Sequence, residues 1–128
     1  MNKICTTPEQ SQKLIKLGIN VNTADMQWVN TGYCMRALPT DDYEAQSSSS
    51  KIPAWSLTAL LELVPKGEKD EFSLEFKTYK YKEEYYINEW LCSYTYNNEP
   101  SGIGYICRTN VLDAVFEMIV WLKENKKI

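Results

Sequence analysis

The residues with the most evident chemical potential stand in one short stretch, Lys77-Thr78-Tyr79-Lys80-Tyr81-Lys82. Cations interleaved with aromatic rings can hold single-stranded nucleic acid without reading its sequence, because the rings stack on bases while the ammonium groups neutralise phosphates. The plainer reading is an exposed hairpin whose Lys and Tyr side chains keep a strand edge soluble. Two facts favour that reading. Glu83 and Glu84 follow at once and cancel much of the charge, and the chain as a whole carries a net charge of −3 instead of a strong basic footprint.

Catalytic constellations are scarce. The chain has no histidine, which removes the usual general base, the usual zinc ligand and every Ser–His or Cys–His nucleophile system. Carboxylates, Lys, Tyr and Cys can still do acid–base work, so a small hydrolase or nucleic-acid-processing enzyme using carboxylates and Tyr stands as the alternative from another class. Cys5, Cys34, Cys92 and Cys107 are far apart in sequence and form no C-x-x-C pair, so reduced thiols in a cytoplasmic protein are expected. Asp41, Asp42 and Glu44 lie together, as do Glu68, Asp70 and Glu71, but neither set has the spacing of a calcium loop. Gly102 and Gly104 make a Gly-x-Gly without the third glycine of a phosphate cradle. No catalytic residue, metal ligand or cofactor is assigned.

A surplus of aromatic side chains carries more weight. Nine tyrosines and four tryptophans occur in 128 residues, and Tyr79, Tyr81, Tyr85, Tyr86, Tyr94 and Tyr96 crowd into one region. One layer of helices cannot bury all six. Exposed Tyr is a good contact residue, being large, amphipathic and poor in rotamers to freeze. Lys77, Tyr79, Lys80, Tyr81, Lys82, Tyr85, Tyr86, Tyr94 and Tyr96 are therefore the candidate interaction residues. A protein partner, self-association included, is expected through the outer sheet face or a sheet edge. Nucleic acid is a weaker candidate partner, and a membrane is not expected.

The elements that must position these residues can be read in turn. Asn110 to Lys126 reads as the organising helix. Asn110 suits the N-cap, Asp113 suits the first turn, and Lys123, Lys126 and Lys127 suit the negative end. Leu112, Val115, Phe116, Ile119 and Leu122 recur at helical spacing, and Ala114, Met118, Val120 and Trp121 widen the stripe beyond one face. Such a helix lies across a sheet with a second element beside it, and is too short to span a bilayer, which takes roughly 20 apolar residues.

Thr7-Pro8-Glu9-Gln10 is a capping-box start for another helix, which Gly18 ends and Ile19 folds back upon. Met26 to Val29 and Tyr33 to Leu38 read as strands joined at Asn30-Thr31-Gly32. Residues 41–51, with four serines and little apolar content, read as a mobile loop. Ile52 to Pro65 reads as a helix bracketed by prolines, with Leu57, Leu60, Leu61 and Val64 on its core face; Trp55 near its start could line a ligand pocket, though a core or hinge plug against the sheet is the more common role. Phe72, Leu74 and Phe76 alternate with polar residues as a half-buried strand. In the next strand, Tyr85 to Tyr96, Trp90 and Cys92 are expected to point inward, and Ile103 to Cys107 adds an optional fifth strand.

The order α-β-β-α-β-β-(β)-α predicts an α+β fold. Its expected form is an antiparallel sheet of four to five strands with about three helices packed mainly on one face, in a single domain over residues 1–128. With 44% hydrophobic and 24% charged residues, composition is ordinary for a globular protein. Met1 to Gln12 is polar and lacks the apolar core of a signal peptide.

Pro8-Glu9-Gln10-Ser11, the run from Leu17 to Val21, Ile52-Pro53-Ala54-Trp55-Ser56-Leu57, and Ala114 through Asn125 resemble small uncharacterised proteins encoded in prophages and mobile elements of gut bacteria. The resemblance spans most of the chain outside the serine loop. It implies a cytoplasmic, phage-related protein and no particular activity. The resulting expectation is a binding or protein-interaction domain without cofactor.

Overall fold

The first helix, α1 (Pro8–Lys16), starts on a complete capping box. The Thr7 hydroxyl accepts from the Gln10 amide at 3.1 Å and the Gln10 side chain accepts from the Thr7 amide at 3.0 Å, so two otherwise orphaned donors are satisfied. It ends at Gly18, whose φ of 92° is left-handed and favours glycine. The Ile19 amide then turns back to the Leu14 carbonyl at 3.0 Å, and Leu14 and Ile19 are both buried. The computed structural model describes residues 3–30, 34–42, 51–67, 70–95 and 103–128, without the side chains of 81, 103 and 104. These residues form two compact units, Lys3–Leu63 and Val64–Ile128.

In the first unit a three-stranded antiparallel sheet follows α1 and a short 3₁₀ turn, Val21–Thr23. Strand β1 (Met26–Asn30) lies in the middle, between β2 (Met35–Pro39) and β3 (Lys51–Ala54). Met26 faces Pro39 on one side and Ala54 on the other. Val29 and Leu38 pack together in the core. The expected turn at Asn30-Thr31-Gly32 falls largely outside the described residues, as do 43–50 of the expected loop.

Two expectations need correction. The stretch from Ile52 is not helical throughout: Lys51–Ala54 is a strand, and helix α2 covers only Leu57–Glu62, with Ser56 as its N-cap. Proline is at home in the first turn of a helix and equally on a sheet edge, where its missing N–H is not required. Pro53 takes the second place, on a strand that pairs only with β1 among the described residues. That pairing also explains the second correction. The expected single sheet of four to five strands is two sheets of three, because β1 takes β2 and β3 as its partners while the three later strands pair among themselves.

In the second unit β4 (Glu71–Lys82) and β5 (Tyr85–Thr95) form a long antiparallel hairpin turning at Glu83 and Glu84. Strand β6 (Ile103–Arg108) pairs with the far side of β5, from Trp90 to Thr95 only. Helix α3 (Val111–Glu124) follows, capped by Asn110, whose side-chain oxygen accepts from the Leu112 and Asp113 amides at 2.9 and 3.2 Å. It packs against β6 and β5. Leu112, Ala114, Val115, Phe116, Met118, Ile119 and Leu122 are all buried, as the wide apolar stripe requires. Arg108, on β6, grips Glu117 of the helix through both guanidinium nitrogens Nη2 and Nε.

Candidate interaction surface

Strand alternation sorts the side chains of the second sheet into two faces. On one, Phe72 stands opposite Tyr94, Leu74 opposite Cys92, Phe76 opposite Trp90, Thr78 opposite Asn88, and Lys80 opposite Tyr86. Arg108, which ties the sheet to α3, lies beside Trp90 on this same face. Cys92 and Tyr94 are completely buried there. The inward placement expected of Trp90 and Cys92 is found, with Cys92 in the core and Trp90 half-buried at its margin. The other face carries Ser73 opposite Ser93, Glu75 opposite Leu91, Lys77 opposite Glu89, and Tyr79 opposite Ile87.

The hairpin outreaches what supports it. Strand β6 stops at Arg108, opposite Trp90, so β5 from Tyr85 to Glu89 is paired only with β4 among the described residues. This two-stranded arm and its base at Phe76 expose apolar side chains on both faces. Relative exposure is 54% for Phe76 and 62% for Tyr86 on the helix-bearing face, and 42% for Tyr79 and 67% for Tyr85 on the other. Ile87 is exposed beside Tyr79. Phe76 rests on Trp90 at a centroid distance of 5.2 Å and a tilt of 59°, a favourable geometry for aromatic rings. The Thr78 hydroxyl bonds the Asn88 side chain at 2.9 Å across the ribbon.

The structure thus brings together Lys77, Tyr79, Lys80, Lys82, Tyr85 and Tyr86 on one arm. Tyr94 is a correction: it belongs to the core, because it is the part of β5 that α3 and β6 both flank. The Tyr81 side chain and Tyr96 lie outside the described residues. Phe76 and Ile87 are contact candidates that sequence reasoning missed. Phe76 was expected in the half-buried row with Phe72 and Leu74. The available signal was length: the Tyr85–Tyr96 stretch is far longer than Ile103–Cys107, so one end of the hairpin had to overhang.

The arm's electrostatics are mixed. Lys77 lies 3.7 Å from Glu75 and faces Glu89 across the ribbon, while Lys80 projects to the opposite face from Lys77. Lys82 stands opposite Tyr85 at the tip.

The best-connected polar cluster lies in the first unit and has a structural explanation. The buried Thr6 hydroxyl meets the Ser11 hydroxyl at 2.8 Å and accepts from the Trp55 amide at 3.1 Å. The Thr6 amide donates to the Trp55 carbonyl at 2.9 Å, and the Thr6 carbonyl accepts from Trp28 Nε1 at 2.7 Å. Trp55 is fully buried, its Nε1 donating to the Thr23 hydroxyl at 2.9 Å, which makes it the core plug expected. Asp25 accepts from the Ser56 amide at 2.8 Å and from the Ser56 hydroxyl, which itself accepts from the Ala59 amide at 3.2 Å. Ser56 is therefore a helix cap oriented by a carboxylate, with its proton already committed.

The nearby Cys5 thiol is pushed up to about 11 by burial and, secondarily, by the charge of Asp25. Burial pushes the Cys92 thiol up to about 12. Both are protonated and unreactive at neutral pH. Among the described residues no group of three or more His, Cys, Asp or Glu side chains converges to hold a metal, and no helix is long and apolar enough to cross a membrane. No family model, curated protein or solved structure matches this chain.

Proposed function

We propose that the chain is a non-enzymatic protein-interaction domain and that the β4–β5 arm is its contact surface. The observation that carries this is the exposure of Tyr79, Tyr85, Tyr86 and Ile87 on a ribbon that extends past its own sheet, and of Phe76 at its base. An isolated two-stranded ribbon is marginal in water. Large aromatic side chains on such a ribbon are better explained by a partner that covers them than by the fold that leaves them wet. The compensated charge of the arm favours a protein partner over nucleic acid, and the low-reactivity buried thiols accord with a structural role for cysteine. The cytoplasm of a phage-bearing bacterium is the setting we propose, on the resemblance described above and the spacing of the cysteines.

Affinity capture from source-cell extract, with the wild-type chain and a Phe76→Ser/Tyr86→Ser variant side by side, tests the reading. A protein retained by the wild type and lost by the folded variant is the expected result. Equal retention by both would remove the arm as the contact. A titration with single-stranded oligonucleotide at low salt should give no arm-dependent binding, and tight, salt-sensitive binding there would replace the protein partner with nucleic acid.

A further inference from the structure

We propose that the partner of the arm is a second copy of this chain, joined edge to edge through β4 in antiparallel register about Phe76. The inference rests on the reading of the arm as the contact surface, and adds the occupant and the register. Strand β4 is the outer strand of its sheet and pairs only with β5 among the described residues. Proteins usually blunt such an edge with a short strand, a proline, a bulge or lysines. Here the strand is 12 residues long and has no proline, and its one irregularity falls at the tip, between Lys80 and Lys82. Lysines are the remaining guard.

The charge pattern shows how a second copy would neutralise them. Two antiparallel copies related by a twofold axis place each residue opposite the one equally far from the centre, with both side chains on the same face. Centred on Phe76, the pairing sets Glu75 against Lys77 of the other copy and Lys77 against its Glu75. It also sets Leu74 against Thr78 and Ser73 against Tyr79. Moving the centre by one residue puts Glu75 against its own copy in one direction and Lys77 against its own copy in the other. Like charges directly opposite are destabilising and unlike ones favourable, so the register centred on Phe76 is favoured over its two neighbours.

That register also joins the exposed Phe76 to its own copy, beside the Trp90 ring on which each already rests. Opposed side chains on neighbouring antiparallel strands have Cβ atoms about 4.5–5.5 Å apart, within aromatic contact. The product is a continuous six-stranded sheet in which the outer backbone groups of β4 are paired.

Sedimentation velocity on the full chain, with charge variants, tests the occupant. The wild type should show concentration-dependent dimer. Glu75→Lys alone and Lys77→Glu alone should each weaken it at least about tenfold, since each places two like-charge pairs at the axis. An equimolar mixture of the two variants should recover it, because each Glu or Lys then faces its opposite. Wild-type monomer at every concentration, or single variants that associate as well as wild type, would overturn the proposal.

Cysteine trapping tests the register in a Cys34→Ser/Cys107→Ser background whose fold is checked by circular dichroism. Phe76→Cys should oxidise to a covalent dimer, because self-opposed Cα atoms about 4.5–5.5 Å apart fall within disulfide reach. Thr78→Cys, which faces Leu74, should not. Equal trapping at both positions, or trapping at 78 alone, would overturn the register. A monomeric wild type whose extract partner is still lost by Phe76→Ser/Tyr86→Ser would defeat the second-copy inference while leaving the arm reading intact. Retained capture by that variant would defeat the arm reading itself.

Discussion

At the scale of single residues the first unit depends on Thr6, whose four hydrogen bonds join the N-terminal segment to α1, Trp28 and Trp55. Thr6→Val keeps the shape and removes the hydroxyl, leaving the buried Ser11 hydroxyl and the Trp55 amide without that partner. Chemical denaturation should show a loss of about 1–3 kcal/mol, the cost of stranding buried polar groups. Thr6→Ser should recover most of it. The cysteines make a second residue-scale prediction. Cys34 is exposed, whereas Cys5 and Cys92 are buried with thiols raised to about 11 and about 12. Iodoacetamide at pH 8, read by mass spectrometry, should modify Cys34 and spare Cys5 and Cys92 until the chain is unfolded. Folding favours the protonated thiols, so their contribution is complete below the ordinary thiol value of 9.0. It is withdrawn as pH rises through the folded values.

At the scale of elements, helix ends were the most legible features of the sequence. Thr7 with Gln10, Gly18 and Asn110 each act through local chemistry that needs no knowledge of the tertiary fold, and each stands where its residue type implies. Asn110→Ala should cost about 1 kcal/mol in a denaturation series, a typical value for a lost N-cap. The Ile52–Pro65 stretch was less legible for a matching reason. Pro53 fits both a first helical turn and an edge strand, and only the long-range pairing with β1 decides between them. The true start signal, Ser56 before Leu57, was present but overshadowed by the prolines. Tyr86, Cys92 and Tyr94 share one face of β5, but β6 flanks only the Trp90–Thr95 end, which leaves Tyr86 out on the arm. Sequence alternation assigns a face but not how far along the strand the cover extends, and that extent decides that Tyr94 is core and Phe76 exposed.

At the scale of the whole molecule, residues that hold each unit's own core differ from those whose burial the described fold does not supply. Removing core mass should be costly: Leu122→Ala or Met118→Ala should lose about 2–5 kcal/mol, as for other fully buried aliphatic side chains. Tyr86→Ser should change stability by no more than about 0.5 kcal/mol, because its side chain is mostly in water, and Phe76→Ser should cost about 0.5–1.5 kcal/mol for its lost contact with Trp90. Residues that tolerate substitution in folding and fail in association are the signature of a contact surface. Hydroxyl-radical footprinting tests this directly on the full chain, first dilute and alone, then in extract of the source cells. The account predicts heavy labelling of Phe76, Tyr79, Tyr85 and Tyr86 in the dilute protein and clear protection in the extract. Tyr105, equally exposed but off the arm, should label alike in both. Equal labelling of the arm in dilute protein, in concentrated protein and in extract would contradict it.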